Sequence, residues 1–218
     1  MNKVILTIIL ISVSLIPQFA WSQGLKSSGK SAADIVPNDW ESTFKTGDLN
    51  GDNINDLVII ATPCNKEKMT TRDDGYVYNF NQPILAIYWG DKKGNFKLFK
   101  QYDNVIPARP DEFISFDPSL NITPKGTLEI VLECFASAGS WTQPTTTHVF
   151  RYQKGDFMLI GKDVIELERS TGKTVSTSEN YLTRKRTVIT ERPKKKAITK
   201  RNRLPKGALK ELGFNLYE

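Results

Sequence analysis

Nine consecutive residues, Asp48-Leu49-Asn50-Gly51-Asp52-Asn53-Ile54-Asn55-Asp56, place oxygen donors at alternate positions of a short segment. Asp48, Asn50 and Asp52 stand at loop positions one, three and five, Ile54 at seven offers its backbone carbonyl, and Asp56 stands at nine. A hard cation such as calcium takes about six to eight oxygens at short range, and a tight loop delivers them from alternate residues. Asp, Asn and Gly also populate solvated turns for ordinary backbone reasons. The alternation of ligand types immediately before the apolar run Leu57-Val58-Ile59-Ile60 favours the metal reading over the plain turn. The loop is not an EF-hand, because position twelve is Ile59 instead of a bidentate Glu, position six is Asn53 instead of Gly, and no helical pattern flanks it. Asn53 can still take the left-handed conformation that the bend requires.

Other chemistry-bearing residues are sparse. His148, the single histidine, lies in a strand-like run; a catalytic role would need a nucleophile such as Cys134 or Ser140 beside it, and a structural role is the expectation. The small-residue stretch Phe135 to Trp141 has neither a nucleophile-elbow nor a phosphate-loop spacing and reads as a bend between strands. Tyr76, Tyr78, Phe80, Tyr88, Trp89 and Trp141 would make a carbohydrate or peptide platform if exposed, but core packing is the expected role of aromatics in a β protein.

The elements that position these residues are short. Apolar runs at Leu57–Ala61, Ile84–Trp89, Phe96–Phe99, Leu128–Cys134, His148–Tyr152 and Phe157–Ile160 predict antiparallel strands. Gly90 to Asn95, Gln153 to Asp156, Asp74-Gly75 and Thr171 to Lys173 supply the residues that hairpin turns require. Helical periodicity is confined to Lys206–Leu212, where one or two turns are expected. Leu128, Ile130, Leu132 and Cys134 fall on one face of their strand, which predicts a buried Cys134. The two cysteines, Cys64 and Cys134, allow one disulfide in an oxidising compartment or two separate thiols.

The segment Thr46 to Val58 resembles the calcium loop of FG-GAP or VCBS-type repeats, found in integrin α-subunit propellers and bacterial surface proteins. Ile87 to Asp91 followed by Gly94-Asn95-Phe96 resembles the hairpin that follows within such a repeat, so the likeness covers roughly residues 40 to 100. It implies that the loop joins two strands of a propeller blade and that Asp48, Asn50, Asp52, Asp56 and the Ile54 carbonyl hold structural calcium. A second copy is not visible, although repeat architectures show themselves by self-similarity. The fold expected is therefore mostly β, an antiparallel propeller-like or sandwich-like domain with one calcium-binding strand-loop-strand unit.

Lys3, the apolar run Val4 to Ile16, Pro17 and the small residues around Ala20-Trp21-Ser22 predict a signal peptide over residues 1–22. Periplasmic or secreted localisation is expected, with no transmembrane segment after signal removal. Removing residues 1–22 from the 218 leaves 196, enough for a well-filled core, and the four Trp and eleven Phe exclude a wholly disordered chain. The expected domains are a flexible lead over 23–38, a β-rich domain over 39–192 and a basic tail over 193–218. Charge is divided: residues 184 to 210 hold twelve Lys or Arg against Glu191 alone, while the rest of the mature chain holds 17 basic and 23 acidic residues. The partner classes this suggests are an anionic envelope polymer, a surface glycan or a protein, with nucleic acid not expected for an exported chain. The function expected is a calcium-binding β-rich binding or adhesion module without its own catalysis. The competing reading is an envelope-polymer hydrolase or accessory domain, which two carboxylates facing each other across a cleft would favour.

Overall fold

The computed structural model describes residues 24–207 and 209–217; the expected signal peptide, residues 1–22, lies outside them. The apolar run behind the Asp/Asn loop forms β3 (Asp56–Thr62), which pairs antiparallel with β2 (Glu41–Gly47) on one side and β6 (Ile84–Gly90) on the other. With β7 (Phe96–Tyr102) and the short β1 (Ser28–Gly29) they make a five-stranded sheet in the order β1-β7-β6-β3-β2. A small hairpin of β4 (Met69–Thr71) and β5 (Val77–Asn79) leaves this sheet and returns.

The second sheet is a seven-stranded antiparallel meander in chain order, curled into a half-barrel. Its strands are β8 (Ile114–Ile122), β9 (Thr127–Ala136), β10 (Thr142–Gln153), β11 (Asp156–Glu168), β12 (Lys173–Asn180), β13 (Lys185–Arg192) and β14 (Lys195–Arg203). The expected strand runs and hairpin turns appear where the patterning put them. Between β10 and β11 the turn places Lys154 and Gly155 at φ 56° and 89°, the positive pair that matches the twist of a two-residue hairpin.

One core lies between the sheets. Val58, Ile60, Leu85 and Ile87 from the first meet Leu128, Ile130, Leu132, Phe150 and Phe157 from the second. A second cluster covers the other face of the five-stranded sheet, where Ile35 and Val36 pack on Leu57, Ile59, Ala61 and Tyr88. Successive side chains of a strand point to opposite faces. β3 is apolar without alternation because both its faces are covered.

Two segments depart from expectation. The lead read as flexible carries β1 and a helical turn, α1 (Ala32–Ile35), capped by the Ser31 hydroxyl, which accepts from the Asp34 N–H. Gly29 lets this turn approach, since a Cβ there would stand 2.8 Å from Ile35 Cγ1. The segment read as a basic tail forms β14 and then returns to the core, burying Leu212 and Leu216. Among the described residues, Lys206–Leu212 is not helical: Glu211 bridges to Met158, and the Leu212 N–H donates to the Phe157 carbonyl. Both departures have one cause, a few apolar residues that find partners distant in sequence.

Candidate metal centre

β2 and β3 hold the two ends of the Asp/Asn loop side by side, with Gly47 facing Asp56 across the ladder. Inside that frame the loop folds on its own side chains. Asp48 accepts from two loop amides, Gly51 N–H at 2.7 Å and Asn53 N–H at 2.9 Å. Asn50 Oδ1 accepts from the Asp52 N–H, and Asp52 Oδ1 from the Ile54 N–H at 2.8 Å. Gly51 and Asn53 both take positive φ, 82° and 64°, as the bend requires.

Asp56 stands apart from the other ligand candidates. It is fully buried, and its carboxylate accepts from the Leu49 N–H at 2.8 Å and from the Gly90 N–H at 3.0 Å. Burial raises its pKa above the ordinary carboxylate value, the two amides act against that rise, and the charges of Asp52 and Asp48 add to it. No basic side chain is among its hydrogen-bond or ion-pair partners in the described residues. A buried acid with like charges beside it is the electrostatic situation that a cation relieves.

The loop is also seated from outside. A Cβ on Gly90 would fall 2.1 Å from the Asn55 carbonyl oxygen, so only glycine admits this contact, and its N–H is the one that reaches Asp56. Gly126, in the β8–β9 turn at φ 70°, approaches the Asp48 carbonyl from the second sheet. Gly90 had read as a turn residue only; its support of the loop is a contact across 34 positions of sequence that no local pattern signals.

All five expected ligands therefore lie on one connection, but they are not drawn together equally. Among the described residues, no group of three or more His, Cys, Asp or Glu side chains is arranged to hold a metal ion. Asp56 faces inward to Leu49 and Gly90, while Asp48, Asn50 and Asp52 face their own loop. The donor set fits calcium in type, since each oxygen bonded to one amide keeps a further lone pair. Asp48, Asn50, Asp52 and the Ile54 carbonyl are the residues that would hold it, with Asp56 beneath them.

A second site lies at the far end of β2. There the free edge of β2 and the free edge of β8 flank a cleft of 330 Å³. At the loop end the two strands are in close contact, since a Cβ on Gly47 would meet Ile122 at 2.7 Å. The cleft carries Glu41 from β2, Asp117 and Phe116 from β8, Tyr76, and Arg109, whose guanidinium stacks 4.6 Å over the Tyr78 ring. Of the six aromatics considered as a platform, Tyr76 and Trp141 are exposed, whereas Tyr78 and Tyr88 are buried.

The remaining candidates are structural in their surroundings. His148 is buried against Phe150 and Phe214, its Nδ1 has no hydrogen-bond partner, and no hydrogen bond among the described residues joins it to Cys134 or Ser140; the Ser140 hydroxyl donates to the Thr142 carbonyl. Cys134 is buried as its strand pattern predicted, and both it and Cys64 are free thiols with pKa values raised by burial. No helix among the described residues is long and apolar enough to cross a membrane. Comparison with known proteins finds no matching family model, no matching characterised protein and no matching solved structure.

Proposed function

We propose that this chain is an exported β-rich binding or adhesion module, stabilised by calcium at the Asp48–Asp56 loop and without catalysis of its own. The observation that carries the reading is the buried Asp56 carboxylate, held by two backbone amides next to Asp48 and Asp52 and without a basic partner among the described residues. The resemblance of residues 40 to 100 to FG-GAP or VCBS-type repeats points the same way, and export rests on the character of residues 1–22. Calcium bound to the folded loop and not to the unfolded chain stabilises the fold by about 2.7 kcal/mol when free calcium is about 100 times its dissociation constant. Thermal melting of chelator-treated protein is therefore expected to rise with added calcium, and the rise to vanish in Asp48→Ala and Asp52→Ala. A wild-type melting temperature that does not move at millimolar calcium sinks the metal reading.

One observation favours the hydrolase reading as second: Glu41 of β2 and Asp117 of β8 both line the cleft. Paired carboxylates across a cleft are the arrangement of glycoside hydrolysis. Release of reducing ends from envelope polymers, lost in both Glu41→Gln and Asp117→Asn, would replace the binding reading with this one.

A further inference from the structure

β14 is the free edge of the seven-stranded sheet, bonded to β13 on one side only. All nine of its residues are exposed, and five of them, Lys195, Lys196, Lys200, Arg201 and Arg203, are basic with no acid among the nine. None of the five makes an ion pair among the described residues. A free edge presents a row of backbone donors and acceptors, and such edges take up extended peptides as added strands.

The charges do not share a face. Lys200 lies opposite Val188, whereas Arg201 and Arg203 lie opposite Thr187 and Lys185, so the two sets project from opposite sides of the sheet. A flat anionic surface laid on either side would meet only part of the charge. A strand laid along the edge alternates its own side chains in the same way and meets both sets. A second copy of this chain does not fit, because β14 against β14 would place basic residues opposite basic residues. Ile198, half exposed near the middle of the edge, supplies one apolar contact.

We infer that the β14 edge docks an extended acidic polypeptide as an eighth strand, with Asp or Glu side chains on both of its faces around an apolar residue. The docking does not depend on the loop binding calcium. The test uses the full chain and a fluorescent peptide repeating Glu-Glu-Val-Val, which puts Glu on both faces of a strand, together with the same peptide carrying proline in place of valine and vesicles of anionic lipid. The Glu-Val peptide is expected to bind at low salt and to be released at high salt. Its affinity is expected to fall about tenfold or more in Lys200→Glu/Arg201→Glu/Arg203→Glu, whose far-ultraviolet circular dichroism is expected to match wild type. The proline peptide, with the same charge and fewer backbone donors, is expected to bind about tenfold more weakly than the Glu-Val peptide. Equal binding of the two peptides, binding of vesicles without binding of the peptide, or no binding at low salt overturns the inference.

Discussion

β3 and β14 are antiparallel strands of similar length, and they are held by different forces. β3 sits between two neighbours with both faces covered, and six of its seven residues are buried. β14 has one neighbour and no buried residue. The first is stabilised by apolar area removed from water, the second by ladder hydrogen bonds and cross-strand pairs, which contribute roughly 0.2–1 kcal/mol each. The same backbone pattern thus serves as a packed wall at one end of the fold and as an accessible edge at the other.

The sharpest way to break this comparison is to truncate matched apolar residues. Leu85, fully buried on β6 against β3, is expected to lose about 2–5 kcal/mol on Leu85→Ala, measured as a shift in urea midpoint at constant slope. A loss near zero would mean that the wall is less packed than its burial indicates.

An acid titration of stability comes next in size. His148 is buried in β10, its Nδ1 has no hydrogen-bond partner, and burial first, then the charges of Lys162 and Lys210, push its pKa down to about 4. The unfolded imidazole takes its proton near pH 6.5, so the unfolded chain binds more protons between those values. Stability is complete above pH 6.5 and is expected to fall by about 3 kcal/mol as pH drops toward 4. His148→Leu is expected to flatten that part of the urea-stability profile, and an unchanged slope in the variant would remove His148 as the cause.

The smallest effect belongs to the edge. Ile198→Ala on β14 is expected to stay within about 0.5 kcal/mol of wild type in the same urea measurement. A loss comparable with that of Leu85→Ala would show that β14 is packed against something and would erase the contrast.

Local pattern carried most of the strands, because apolar runs, whether continuous or of period two, and turn residues act within a few positions. It also carried the loop, whose bend at Asn53 and glycine at Gly51 follow from residue type. What it did not carry depends on distance along the chain. Ile35 and Leu216 lie in short segments without a strand or helix period, and only the assembled sheets give them partners. Glu41 and Asp117 likewise meet at one cleft because β2 and β8 are both sheet edges. The inward position of Asp56 was illegible for the same reason, since it depends on Gly90 arriving from another hairpin.

The return of the chain after β14 closes a circuit. The Leu159 N–H donates to the Lys210 carbonyl and the Leu212 N–H to the Phe157 carbonyl, each at 2.8 Å, so the polypeptide comes back to the place from which it left. Everything between those stitches, including β12, β13 and β14, is an excursion whose entry and exit share a footing in the core. Evolution or an engineer can lengthen, shorten or exchange such an excursion as a cassette, because its two ends already lie side by side. A cut at the exposed Lys194 turn would likewise leave two fragments still clasped together by the same core.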